Sequence, residues 1–531
     1  MNNENHFGEA ENVRVAKAAG VVGVATLLSR VFGFFRDVVV AGFFGAGLAT
    51  DAFFVAFRIP NLLRRLFAEG SLTIAVVPVF TEYLKKKSRE DAVELANVAF
   101  TLLSIILALV SILGILLAPW IIKIIAWGFT KNPDQYNLTV FLTRLMFPYI
   151  FFISLVALCM GILNSLRHFA APALAPVILN ISMIAAVCLF RGFFDEPVTA
   201  LAVGVIIGGV LQLVMQIPFL AKMGVKLRVN FNFSHPGIKK IGILMLPAIF
   251  GAAVYQINIF VGTLLASFLP VGSVSYLYYA DRLVQLPLGV FAIAIGTAAL
   301  PSFSDHVAEG RFDELKTTIS FSLRLILFVT IPAMIALIVL RVPIISVLFQ
   351  RGAFNVIKTM RTSEALLFYA VGLWAFSLIK VIVSAFYSLQ DTKTPVKIAV
   401  VALVVNIIAG VILMFPMKHS GLALATSIAS AVNVVVLFVI LQRKVGKFLK
   451  RDFYVSVSRT ILSSLIMGVA ISAVIYFLRW NSQGPFNERL FILIVSIVIG
   501  IVIYITSSYL LKSEEIAALI EITKRKIGNR C

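Results

Sequence analysis

Two arginines and an aspartate, Arg30, Arg36 and Asp37, lie inside or beside an apolar run, 21–40, long enough to cross a bilayer. Arginine grips phosphate or carboxylate oxygens two at a time and stays charged at any physiological pH. On a helical wheel Gly23, Thr26, Ser29, Arg30, Gly33, Arg36 and Asp37 share a sector of roughly 140°, and the remaining face is aliphatic and aromatic. A charge at mid-membrane costs roughly 2.5–3.5 kcal/mol, so this stripe must face a protein interior or a hydrated cavity. The chemistry to expect is binding of an anion, with no bond made or broken.

The stretch 49–81 continues the pattern. Asp51, Arg58, Arg65 and Glu69 share a face with Asn61 beside them, whereas Arg64 points elsewhere on an ideal helix. Pro60 lacks a backbone donor and bends the helix, which brings Arg64 toward the same side. Arg64 and Arg65 also suit the cytoplasmic end of a span, snorkelling to headgroups. In 273–302, Ser275, Tyr278, Asp281, Arg282, Gln285, Gly289 and Gly296 occupy a sector of about 120°. Arg282 is assigned to binding, and Asp281 reads either as a cavity residue or as half of a structural ion pair. Lys380 reads as a further cavity residue, while Arg324 and Arg459 mark inner ends of spans. Arg30, Arg36, Arg64 and Arg282 outnumber Asp37, Asp51 and Asp281, a positive surplus suited to an anionic headgroup, phosphate before carboxylate.

The elements that must hold these groups are membrane helices. The chain is 60% hydrophobic and 13% charged, with mean hydropathy +0.99, outside the range of soluble domains. Fourteen apolar stretches can be counted, near 16–43, 49–81, 92–122, 138–165, 171–190, 198–221, 239–268, 273–302, 315–340, 360–388, 394–415, 420–442, 454–479 and 488–511. The fold class is therefore an all-α polytopic membrane protein of about 14 spans. The piece 342–349 reads as short, re-entrant or interfacial. Lysine and arginine crowd the even-numbered connections, such as 85–89, 222–240 and 443–451, which puts both termini in the cytoplasm. The ninth loop, with Arg341, Arg351, Lys358 and Arg361, is the exception. The tail 512–531 reads as an amphipathic cytoplasmic helix or a frayed basic end.

An internal repeat shows at one offset, 223 residues: Pro78 with Pro301, Ser165 with Ser388, Pro172 with Pro395, and Ala202 with Ala425. Six spans per unit make the repeats parallel, with an N-lobe over 1–238 and a C-lobe over 239–453. Two further helices, 454–511, stand outside it. Two-lobed transporters place substrate at the interface of their repeats.

The net charge of +21 would suit nucleic acid on a soluble chain, but here basic residues orient spans and meet anionic lipid. The three cysteines are far apart and the five histidines scattered, so neither a disulfide framework nor a metal site is expected. No phosphate-binding nucleotide loop, zinc-protease motif or nucleophile elbow occurs. The expectation is no enzyme and no cofactor, with a membrane potential or ion gradient as the drive.

SRVFGFFRD (29–37), FGAGLATDAFFVAFRIPNLLRRLFAEG (44–70), YYADRLVQLPLGVFAIAIGTAALPSFS (278–304) and FYSLQDTKTPVKIA (386–399) closely resemble the MurJ/MviN family. Those proteins are lipid II flippases of the multidrug/oligosaccharidyl-lipid/polysaccharide exporter superfamily, and the likeness covers nearly the whole chain. The resemblance implies a bacterial inner-membrane protein that carries undecaprenyl-pyrophosphate-linked disaccharide-pentapeptide to the outer leaflet for peptidoglycan synthesis. It implies binding by Arg30, Arg36, Arg64 and Arg282, with Asp37, Asp51, Glu69 and Asp281 as acidic companions. Relatives can carry glutamate where this chain has Gln285. A monomer is expected, with an association with cell-wall synthesis machinery as a further expectation. A flippase for another lipid-linked oligosaccharide predicts the same arginines, whereas a multidrug–cation antiporter predicts an acidic surplus that the chain lacks.

Overall fold

The computed structural model describes residues 2–64 and 72–516, with side chains described outside 2–19, 63 and 246–255. It is helical, with no strand among the described residues. Contacts divide the chain into two compact units, Met1–Phe268 and Leu269–Cys531.

The first unit runs α1 (Asn2–Phe44), α2 (Leu48–Leu63), α3 (Thr73–Lys86), α4 (Arg89–Ile125), α5 (Pro133–Met146), α6 (Tyr149–Ser165), α7 (Ala170–Phe190), α8 (Thr199–Lys222) and α9 (Pro236–Ser267). Local chemistry sets several ends. Ser88 and Asp91 bond each other's backbone amides in a capping box that starts α4. Asn132 caps α5 ahead of Pro133, whose missing N–H costs nothing in a first turn. Pro148, again without a donor, separates α5 from α6 within one apolar stretch. The core is aliphatic and aromatic, from Leu72 and Phe80 through Leu158 and Ile162 to Leu220 and Ile241.

The second unit runs α10 (Ser273–Pro287), α11 (Ile293–Ala308), α12 (Phe312–Val339), α13 (Arg341–Phe349), α14 (Val356–Val371), α15 (Leu373–Ser388), α16 (Lys393–Met417), α17 (His419–Val445), α18 (Arg451–Phe477) and α19 (Phe486–Leu510). A single π turn, Leu288–Ala292, follows Pro287 and joins α10 to α11. The pair α14 and α15 is bent by 40° at Gly372, where a Cβ would overlap the Ser427 side chain. Helices α18 and α19 pack on each other and on α12, with the Tyr504 hydroxyl donating to the Phe328 carbonyl at 2.5 Å.

The 223-residue offset holds at the ends of elements. It relates the last residues of α1 and α9, the first of α4 and α12, the first of α5 and α14, the last of α6 and α15, the first of α7 and α16, and the last of α8 and α17. The asparagine caps Asn132 and Asn355 are related by it. So are Arg167 and Gln390, which share a left-handed backbone. Helix α4 corresponds to α12 and α13 together, so α13 continues a span interrupted at Leu340. Its nine residues, about 14 Å of helix, cannot cross a bilayer.

Among the described residues, ten helical segments are long and apolar enough to cross a membrane, with α5–α6 and α10–α11 each counted as one, and eleven when the bent pair α14 and α15 is one span. Helix α16 suits lipid on nearly every side, with Ile412 63% and Phe415 76% exposed. The repeats differ at their first helices. Helix α1 packs on α7 of its own repeat, whereas α9, the opening helix of the second, packs on α3 and α4 of the first.

Candidate functional site

On α1, Arg36 and Asp37 are both buried. The Arg36 Nη2 and Nε donate to one Asp37 carboxylate oxygen at 2.7 and 3.1 Å. Its Nη1 donates to the Asn180 Oδ1 on α7 at 3.0 Å and reaches the Met183 sulfur at 3.9 Å. Asn180 is itself aimed, because its Nδ2 donates to the Ser29 carbonyl at 3.3 Å. A Cβ on Gly33 would meet the Asn180 amide at 3.4 Å, an ordinary contact, so this turn of α1 has room beside α7 for a small residue only. The guanidinium thus has a fixed plane before any ligand arrives. Arg30 is exposed two turns earlier and has no ion pair among the described residues.

Asp51 is buried in the first turn of α2, where the helix dipole favours a carboxylate. Arg58 donates through Nη1 to the Ile259 carbonyl at 3.3 Å and to the Thr263 hydroxyl, both on α9. Arg64 folds back along α2, with Nη2 and Nε donating to the Asn61 Oδ1 at 2.8 and 3.1 Å. It therefore shares the Asn61 side of the helix. Arg65 and Glu69 lie outside the described residues. A cavity beside Arg58, lined by Asn61, Gln256 and Thr263, holds about 40 Å³. That is room for a few waters and too little for a sugar diphosphate.

In the second unit Arg282 on α10 is exposed. Its Nη2 donates to the Tyr278 hydroxyl at 2.9 Å, with the guanidinium 4.8 Å from that ring's centre, a cation–π stack one turn away. The Gln285 amide donates to Asp281 at 3.4 Å. Lys380 is exposed on α15, where its carbonyl abuts Gly296 of α11 and accepts from Ser384 at 3.0 Å.

The candidate residues therefore form three local sets. Ser29, Arg36 and Asp37 join at α1 with α7; Arg58, Asn61 and Arg64 at α2, with Arg58 reaching α9; Asp281, Arg282 and Gln285 along α10. The residues not singled out beforehand are their supports, Asn180 and Thr263. Asn180 is the only asparagine in the apolar stretch 171–190, which was the available signal. None of the described His, Cys, Asp and Glu side chains cluster as a metal site.

The family model for the lipid II flippase MurJ matches residues 40–509. A probable lipid II flippase MurJ of Vibrio cholerae is 38% identical over 506 residues, covering 94% of this chain and 96% of the relative. The lipid II flippase MurJ of Burkholderia cenocepacia is 38% identical over 423 residues, 79% of this chain and 82% of its own. Among solved structures, a lipid II flippase MurJ in an inward closed conformation aligns with TM-score 0.76 at 31% identity, over 92% of this chain and 98% of that one. A multidrug resistance MATE family transporter of the MOP superfamily, in an inward-facing conformation, aligns with TM-score 0.64 at 16% identity over 81% of this chain and 98% of that one, a likeness of fold alone. This chain belongs to the MurJ family of lipid II flippases, which are transporters and not enzymes.

Proposed function

We propose that this chain moves undecaprenyl-pyrophosphate-linked disaccharide-pentapeptide, lipid II, from the inner to the outer leaflet of the bacterial cytoplasmic membrane by alternating access. The observation that carries the reading is Arg36, a buried guanidinium held in plane by Asp37 and Asn180 within the largely apolar run 21–40. A diphosphate offers paired oxygens to such planar donors, and a fixed plane removes part of the ordering cost of binding. Arg30, Arg36, Arg64 and Arg282 are the binding groups. Asp37 and Asn180 orient, and Asp51, Arg58, Asp281, Gln285 and Lys380 complete the polar lining. The polyprenyl tail stays in lipid while the headgroup crosses.

No nucleotide is needed in this scheme. Expelling negative charge from a cell whose interior is negative is downhill by about 2.3 kcal/mol per charge per 100 mV. Both termini lie in the cytoplasm, and the chain acts as a monomer serving the peptidoglycan synthesis machinery.

The test is depletion in a cell that relies on this protein, followed by assay of lipid-linked precursors on each leaflet. Lipid II is expected to accumulate on the cytoplasmic side, with growth restored by the parent chain and not by Arg36→Ala or Arg282→Ala at equal protein level. Accumulation of a different lipid-linked oligosaccharide would assign the chain to that substrate instead.

A further inference from the structure

The connection 223–235 between α8 and α9 is fastened along the start of α4. The Arg89 side chain donates to the Met223 carbonyl at 2.6 Å, and Gly224 turns the chain with φ +76. The backbone amides of Arg228 and Asn230 then donate to Asn97 Oδ1 at 2.9 Å and Thr101 Oγ1 at 3.0 Å. The Asn232 side chain donates to Glu94 at 3.0 Å. With alternate residues fastened to α4, the intervening ones point away. Val229, Phe231 and Phe233 are 72%, 66% and 41% exposed, and the two rings meet edge to face at 5.9 Å.

The level of this contact matters. Between Glu94 and Lys123, α4 carries no charge, and Asn97 and Thr101 lie in the first two turns of that uncharged stretch. The apolar tip therefore sits where α4 passes from headgroups into hydrocarbon, the depth at which interfacial segments bury Phe and Leu side chains. Around it Lys222, Lys226, Arg228 and Lys239 are exposed, and none has an ion pair among the described residues. Lys240 alone is matched, by Glu82. An exposed apolar tip ringed by unmatched cations fits an anionic bilayer surface.

We infer that 229–233 is an interfacial finger. It buries Val229, Phe231 and Phe233 in the leaflet at the α8–α9 connection, the cytoplasmic one by loop charge, while the surrounding lysines and Arg228 hold anionic lipid headgroups. It pins the start of α9 to the membrane surface. Nothing in this depends on which substrate is carried.

Nitroxide labels placed singly at 226, 229, 231 and 233, in full-length protein lacking Cys159, Cys188 and Cys531, test this in lipid nanodiscs. Collision with oxygen and with a water-soluble nickel chelate is the readout. In discs containing anionic lipid, labels at 229, 231 and 233 are expected to meet oxygen freely and the chelate several-fold less than the label at 226. Equal chelate access at 226 and 231 would place the tip in water and end the proposal. Protection of 231 from both reagents would place it against protein and end it equally. Replacing the anionic lipid by a zwitterionic one should raise chelate access at label 231, and with Lys222, Lys226 and Lys239 all changed to Gln, label 231 should lose this response to anionic lipid. An unchanged response overturns the role given to the cations.

Discussion

At the residue scale the decisive feature is an arginine whose orientation is set by neutral and acidic neighbours together. Asp37 alone would let the Arg36 guanidinium swing about one contact; Asn180, anchored by the Ser29 carbonyl, supplies the second point. A hydrogen bond to a charged group contributes about 1.5–3 kcal/mol. Asn180→Ala should therefore lower flipping by roughly tenfold or more while protein level and helicity stay unchanged. A measured flipping rate equal to the parent would remove Asn180 from the site. Arg36→Lys keeps the charge but not the fork, so growth complementation should fall well short of the parent's. The charged side chains were legible in the sequence, and their partners were not. Arg30, Arg36, Asp37, Arg64 and Arg282 stand out because a charge in an apolar run needs a polar partner, a hydrated cavity or a nearby headgroup. Asn180 did not stand out, because a lone amide in such a run reads as helix packing until its partner is seen.

At the element scale, close approach of helices is written in glycine. A Cβ on Gly204 would come within 2.9 Å of Ala186 and the Met183 backbone, and one on Gly208 within 2.8 Å of Leu179, so α7 and α8 touch backbone to backbone. Gly204→Leu should cost the first unit about 1–3 kcal/mol by overpacking, read as a lower Tm in detergent. By contrast Gly33→Ala, with ordinary contact distances, should be tolerated and Gly33→Val should not. Between α15 and α16, Asp391 accepts the Thr394 amide at 2.9 Å and its hydroxyl at 2.6 Å, and takes a further bond from Lys444 at the end of α17. Lys444, then Thr394, hold its carboxyl well below the usual carboxylate range. A depressed carboxyl stabilises the fold above its unfolded value of about 3.9, and that contribution drains away as the pH falls through the folded value. Asp391→Asn should therefore lower Tm at pH 7, with the gap to the parent closing below about pH 4; a gap independent of pH would assign the effect to packing. Helix existence was readable from apolar run length, but the breaks at Pro148 and Gly372 were not placed, because one proline or glycine within thirty apolar residues is compatible with a continuous span.

At the scale of the whole molecule the repeat is the organising fact, and it was visible as four residue pairs before it appeared as matched helix ends. If headgroup charge provides the direction of transport, an imposed inside-negative potential should bias the distribution of lipid II in proteoliposomes toward the outer leaflet. A distribution indifferent to potential would shift the drive to an ion gradient. What the pattern of residues did not disclose is the company kept by α9, because a helix apolar on all sides carries no directional signal. Its register makes it a member of the second repeat, and its neighbours, α3 and α4, are in the first. A cut made at the seam of the duplication, between 230 and 235, would strand that helix on the wrong fragment, away from the surface it covers. A cut at 269–272 would leave each polypeptide with its own complement of packing partners. Co-expressed halves severed at the second place should reassemble into working protein far more readily than halves severed at the first, because the seam of the repeat and the boundary between the compact units are about thirty-five residues apart.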